Sequence, residues 1–395
     1  MKSIHVAAAL MTCGATFAAP PATERLVWFG TYTAPRKDAP RSEGIYVSRF
    51  NEATGALTEP VLAAAVRNPS FLALHPRVPV LYGVSEIADA DGKPAGGVIA
   101  FRIDERTGTL TRMNERLSGG AGPCHVAVDT QGRAVLAANY GGGSAICLGL
   151  EPDGSLKPAA IGTPGGFIQH AWARIGEAGI DPARQEKPHA HSVDVAADGR
   201  FAFVCDLGLD EVLVHALDRD RATLASHSST KLKAGAGPRH LAIHPDGRRA
   251  WCVNELDLTV TEFTYDGGAG RLTPGASHST LPADTADRKG ISCAEIAVHP
   301  RGRFLYASNR GHDSIAMFRI ADDSPVLEFL GVEPARVKTP RHFAIDPTGT
   351  FLLAAGQDSD TVAVFTIDPG TGRLAFTDRT IRVPKPVCVL FGRPN

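Results

Sequence analysis

Short runs of apolar and alternating residues, joined by tight turns, organise this chain. Phe201–Cys205 and Phe304–Ser308 are apolar runs, and Ser314–Ile320 and Thr361–Ile367 alternate between apolar and polar. Runs of this length and period predict strands. The runs also recur. Pro238–Arg248 reads PRHLAIHPDGR, Pro340–Gly349 reads PRHFAIDPTG, and Pro123–Arg133 reads PCHVAVDTQGR. Weaker copies occupy His191–Gly199, Ala294–Gly302 and Ser70–Pro76. Each unit is a short strand, a tight turn and two further strands. It then closes on a hairpin such as Thr54–Leu57, Thr107–Leu110 or Thr371–Leu374. Four short strands per unit is the make-up of a propeller blade.

The turn glycines Gly199, Gly247, Gly302 and Gly349 are 48, 55 and 47 residues apart, a spacing that suits blades. The longer step from Gly132 to Gly199 is assigned to an insertion over residues 160–187. Six copies follow an opening segment, Trp28–Leu57, which the last apolar run, Val387–Phe391, can complete. Closing the ring in this way removes open sheet edges. The predicted fold is therefore all-β: a seven-bladed β-propeller of four-stranded antiparallel blades, in one domain over residues 20–395. The His-Pro pairs at 75–76, 244–245 and 299–300 read as turn entries, because proline presets the turn dihedral.

Composition narrows the function classes. Lys and Arg total 41 against 42 Asp and Glu, so no overall field draws nucleic acid or an anionic membrane. Lys2, the apolar stretch Ile4–Phe17 and the small residues Ala18 and Ala19 read as a signal peptide over 1–19, with a periplasmic or secreted destination. No later segment is apolar for long enough to span a bilayer, so no membrane association is expected after cleavage. The mature cysteines, Cys124, Cys147, Cys205, Cys252, Cys293 and Cys388, form no CxxC pair, which argues against a zinc ribbon or a thioredoxin-like site. Their spacing assigns no disulfide.

Repeat register locates the candidate chemistry. The start of a blade's first strand and the end of its second lie at the same mouth of the ring. Counting from each turn glycine puts His125, His191, Arg239, His240, Glu295, Arg341 and His342 at strand starts. The same count puts Asn139, Tyr140, Asn254, Glu255, Asn309, Arg310 and Gln357 at strand ends. The set is locally cationic in a neutral protein. It suits a carboxylate or phosphate, or the oxyanion that forms when water attacks an ester carbonyl. Glu255 or a histidine is the candidate base.

No covalent nucleophile is implied, since G-x-S-x-G is absent and Ser144 lacks that context. Gly141–Gly143 is not followed by the Lys-Ser/Thr of a phosphate loop. His189 and His191 share a strand face, but no H-E-x-x-H accompanies them. Neither a metal nor another cofactor is expected.

These segments resemble the lactonase family of seven-bladed propellers, which includes 6-phosphogluconolactonases, a periplasmic gluconolactonase branch and carboxy-muconate cyclases. The resemblance rests on Arg184-Gln185 with Pro188–His191, Gly237–His240, Cys252–Glu255, Ser308–Arg310 and Ala354–Gln357, and runs from Phe29 to the last strand. It implies catalytic roles for His191, Arg239, Glu255 and Arg310, the positions matching those proposed in the cyclase branch. His125, Asn139, His189, His240, Asn254, Glu295, Asn309, Arg341, His342 and Gln357 are then candidate substrate contacts. The implied reaction is hydrolysis of a sugar lactone, gluconolactone or 6-phosphogluconolactone, to the aldonic acid. An export signal favours the unphosphorylated one. The alternatives are lactonisation of a muconate-type diacid and a non-catalytic binding propeller in the cell envelope.

Overall fold

The computed structural model describes residues 24–34, 41–88, 95–158, 166–172 and 180–393. The signal peptide expected over 1–19 lies outside them. The described residues form seven four-stranded sheets, each wholly antiparallel, set in a ring as blades 1 to 7.

The C-terminal strand Pro386–Phe391 is the innermost strand of blade 1 and pairs with Glu24–Thr31, so the two chain ends close the ring together. The other innermost strands are Leu72–Leu74, Pro123–Val128, Ala190–Val195, Pro238–Ile243, Ser292–Val298 and Pro340–Ile345. The segment expected to be wholly an insertion differs in one respect. Phe167–Gln169 within it pairs with Ser144–Gly149 and supplies the outer strand of blade 3.

The apolar core is divided into seven clusters, one between each pair of adjacent blades. Alternate residues of each middle strand face opposite neighbours, which is why these strands are apolar throughout. Polar staples join the same neighbours. Trp28, Tyr82 and Tyr306 each donate to a hairpin carbonyl of the next blade, on Gly108, Gly154 and Gly372, at 2.6–2.9 Å.

The His-Pro turns act across blades as well as within them. His75 accepts the Arg77 and Val78 amides at Nδ1 and bonds through Nε2 to the Gly132 carbonyl of the next blade, at 3.0 Å. His244 and His299 reach the Gly302 and Gly349 carbonyls in the same way, at 3.0 and 2.9 Å. Those glycines have φ of +67°, +74° and +75°, and a methyl group on any of them would collide with the histidine ring. Both demands select glycine.

Candidate active site

At the mouth opposite these turns, five innermost strands begin with a register slip. Pairing jumps from Pro123 to His125, Ala190 to Ser192, Pro238 to His240, Cys293 to Ile296 and Pro340 to His342. The skipped residues are Cys124, His191, Arg239, Ala294 with Glu295, and Arg341. A bulge of this kind takes a residue out of the ladder and re-aims its side chain. Here it turns successive side chains towards the mouth. Residues that follow the second strands complete the rim. Tyr32, Glu86, Tyr140, Leu207, Glu255 and Gln357 each donate their backbone N–H to the loop before the innermost strand, at 2.7–3.2 Å.

Two tiers of side chains result. The outer tier surrounds a cavity of about 300 Å³ lined by Glu86, Cys124, Tyr140, Arg184, His191, Glu255, Arg310 and Arg341. Glu255 is its centre and is 1% exposed. Its Oε1 accepts from Arg184 Nη2 at 2.6 Å and its Oε2 from Arg239 Nε at 3.1 Å, while Arg310 Nη2 lies 3.0 Å from Oε2. Burial alone would raise the carboxyl pKa. The Arg310, Arg239 and Arg184 guanidinium groups reverse this and hold it far below the usual carboxylate range. Arg239 is itself pulled down to about 10, by burial first and then by Arg310 and Arg341, and stays charged at neutral pH.

His191 Nε2 stands 3.9 Å from Glu255 Oε2, beyond hydrogen-bond reach, and its Nδ1 has no protein partner among the described residues. Burial, followed by Arg239 and the other cations, keeps its pKa well below 6.5, so the ring is neutral at pH 7. Tyr140 packs edge-on to His191 and flat on His189, with centroids at 5.2 and 4.5 Å.

The inner tier plugs the channel beneath. Glu295 lies 3.1 Å from His240 Nδ1 and 3.2 Å from His342 Nε2. His240 Nε2 accepts from Arg239 Nη1 at 3.2 Å, and Arg239 Nη1 also donates to the Ala294 carbonyl. The Phe71 and His125 rings lie against each other with centroids 3.9 Å apart and planes tilted by 34°, and His125 Nδ1 accepts from the Val193 amide. The inner tier thus fixes the tautomer of His240 and the plane of Arg239.

Several sequence candidates sit elsewhere. Asn139, Asn254 and Asn309 are buried and turned away from the cavity: they donate to Ser144, to Thr259 and Thr261, and to Ser314 of their own blades, and Asn139 and Asn309 also to the Ser118 and Thr280 carbonyls at the ends of the preceding blades. Gln357 bonds to Asp358 on the rim. His189 bonds to the Tyr140 carbonyl and to Glu186, backing the cavity wall without lining the cavity. Arg184, Glu86 and Tyr32 line the two tiers but were not singled out by register. Arg184 is set by Gln185, whose buried amide donates to Leu207 O and Asp210 Oδ1, at 2.8 Å each.

Fold and mouth together define a propeller enzyme whose site is built around negative charge and cations. The family described as "Lactonase, 7-bladed beta-propeller" matches residues 26–391, and the chain belongs to it. It is 36% identical to the 6-phosphogluconolactonase of Bacillus subtilis, over 93% of this chain and 99% of that one. A 6-phosphogluconolactonase of Formosa agariphila is 31% identical over 80% of this chain and 85% of its own length. The solved structure of the periplasmic gluconolactonase PpgL of Pseudomonas aeruginosa superposes with a TM-score of 0.83 at 30% identity, covering 94% of this chain and 100% of that one. Proteins named in this way are carboxylic-ester hydrolases, and that is the enzyme class of this chain.

Proposed function

We propose that this protein hydrolyses a sugar 1,5-lactone to the aldonic acid, and that glucono-1,5-lactone is the preferred ring. The observation that carries the reading is Glu255 shared by three guanidinium groups beside a buried, neutral His191. Both oxygens of Glu255 are engaged by guanidinium groups, whereas the neutral His191 has an Nδ1 with no protein partner among the described residues. Glu255 therefore anchors the arginines, and His191 takes the proton from the attacking water. Arg310, which lines the cavity, stabilises the oxyanion that grows on the carbonyl, and Arg239 adds its charge from just behind the lining, a contribution that is largest where water is excluded. The cavity of about 300 Å³ suits a single sugar ring.

The N-terminal pattern supports export to the periplasm, and the likeness to a periplasmic gluconolactonase agrees with it. An exported enzyme meets unphosphorylated lactones. The test is kcat/KM for glucono-1,5-lactone against its 6-phosphate, with a muconate-type diacid assayed for ring closure. A higher value for the unphosphorylated lactone supports the reading. A higher value for the phosphate would replace the substrate, and turnover of the diacid alone would replace the reaction.

A further inference from the structure

Opening a lactone needs two proton movements: one away from the attacking water and one onto the ring oxygen as it leaves. The base proposed above accounts for the first. With Glu255 bound by three guanidinium groups, the second needs another group in the same cavity.

Glu86 occupies in blade 2 the place that Glu255 occupies in blade 5. Each follows the second strand of its blade, and each donates its amide to the loop before the innermost strand, at 3.0 and 2.7 Å. Both line the same cavity. Their surroundings differ. Glu255 is held by three arginines, whereas Glu86 meets a phenol. Arg341 Nη2 donates to the Tyr32 oxygen at 3.0 Å, and the Tyr32 hydroxyl donates to Glu86 Oε2 at 2.9 Å. Oε2 accepts from Tyr32 and the Ser70 hydroxyl also stands against the carboxyl, so a proton carried by Glu86 belongs on the oxygen not bonded to Tyr32, Oε1. Asn68 holds the Glu86 backbone from both sides, which fixes the main chain from which the carboxyl reaches into the cavity.

From this geometry we infer that Glu86 is the general acid, delivering its Oε1 proton to the ring oxygen of the lactone. The inference rests on the lactonase reading of the cavity. The charged and titratable groups facing Glu86 are Tyr32, Arg341, Arg239 and Cys124, with His191 across the cavity. Burial raises the pKa of Glu86 and outweighs Arg341, the Ser70 and Tyr32 hydroxyls and Arg239, all of which lower it. Tyr32 stays protonated, its own pKa raised mainly by burial. Two carboxylates in one site with pKa values pushed apart divide the work of acid and fixed anion.

The step balances. Water adds its oxygen to the carbonyl carbon and gives a proton to His191. The carbonyl carbon to ring oxygen bond breaks, and the departing oxygen takes the Glu86 proton. The products are a hydroxyl and a carboxylic acid. Solvent then carries the proton from His191 back to Glu86.

The experiment is kcat and KM against pH for wild type, Glu86→Gln and Tyr32→Phe, each shown to be folded by its thermal unfolding. Spontaneous opening is subtracted, and both glucono-1,5-lactone and its 6-phosphate are used. Wild type should lose kcat as pH rises and Glu86 ionises. Glu86→Gln should lower kcat by about 100-fold or more, the usual range for general acid catalysis, with KM little changed, as for an interaction made only in the transition state, and the alkaline decline gone. Tyr32→Phe keeps Glu86 but removes a bond to its ionised form, so its alkaline decline should move to higher pH. It also serves as the test if Glu86→Gln does not fold.

Glu86→Gln with near-wild-type kcat and an unchanged alkaline decline would overturn the assignment of Glu86 alone, as would a rise in KM without loss of kcat. Wild type that opens neither lactone would overturn the lactonase reading itself.

Discussion

Arg184 Nη2 lies 2.6 Å from Glu255 Oε1, although 71 positions separate the two residues in sequence. Arg184 comes from the loop before the innermost strand of blade 4, and Glu255 from the rim of blade 5. Of the three guanidinium groups on Glu255, this is the most exposed, with 38% of its side chain accessible. It closes the cavity from outside.

Replacing Arg184 by Ala should lower kcat/KM on a lactone by about 10- to 100-fold, the equivalent of one charge-assisted hydrogen bond of ~1.5–3 kcal/mol. Arg184 is partly exposed and two guanidinium groups stay on the buried Glu255, so thermal unfolding should fall by less than on loss of Glu255 itself. Steady-state kinetics beside a melting curve check both halves.

Glu255 ties acid stability to the site. Its folded pKa is depressed, so its stabilising contribution is fully present above the ordinary carboxylate value. That contribution drains away as pH falls from there towards the folded value. Wild type should therefore lose stability to urea below about pH 4.5, whereas Glu255→Gln should lack this component. At neutral pH the same change leaves three cations without their anion and should cost about 3–5 kcal/mol. Urea titrations at pH 7 and pH 4 measure both effects.

Much of this was legible in the sequence, and the limits of legibility have physical causes. Counting from turn glycines placed Arg239, Glu255, Arg310 and Arg341 at one mouth because strands keep a fixed rise and the turns are short. The count missed Glu86 because the turn of blade 2, His75–Val80, has no glycine to count from. It missed Tyr32 because the innermost strand of blade 1 comes from the other end of the chain. Arg184 lay in a recognised motif but on a loop, where no strand register applies. Asn139, Asn254 and Asn309 hold rim positions, yet their short amides find partners within their own blades. Register fixes where a residue stands; the partners within its reach decide where its side chain turns.

His191 should shape the acid side of the rate profile. It is neutral because burial, and then Arg239, depress its pKa. As the proposed base it would work unprotonated, so kcat/KM should hold steady as pH falls through 6.5 and decline only below that. His191→Asn should lower the plateau by about 100- to 10,000-fold. A pH series on the two proteins, corrected for spontaneous opening, reads this directly.

The cross-blade histidines should separate stability from activity. His299→Ala removes the link to Gly349 at the far end of the propeller from the cavity. It should cost about 1–3 kcal/mol for the buried groups left unpaired while leaving kcat/KM unchanged. Urea unfolding and lactone kinetics on one preparation decide it.

Lactone opening is proposed for the arginine-bound Glu255 cavity. The most direct measurement is acid release from glucono-1,5-lactone at slightly acidic pH, where spontaneous opening is slow, with wild type, Arg239→Ala and Glu255→Gln that unfold cooperatively. We expect wild type to accelerate opening well above background and both variants to lose most of that acceleration. Folded wild type that speeds neither this lactone nor its 6-phosphate, or variants that remain as fast as wild type, would contradict the account.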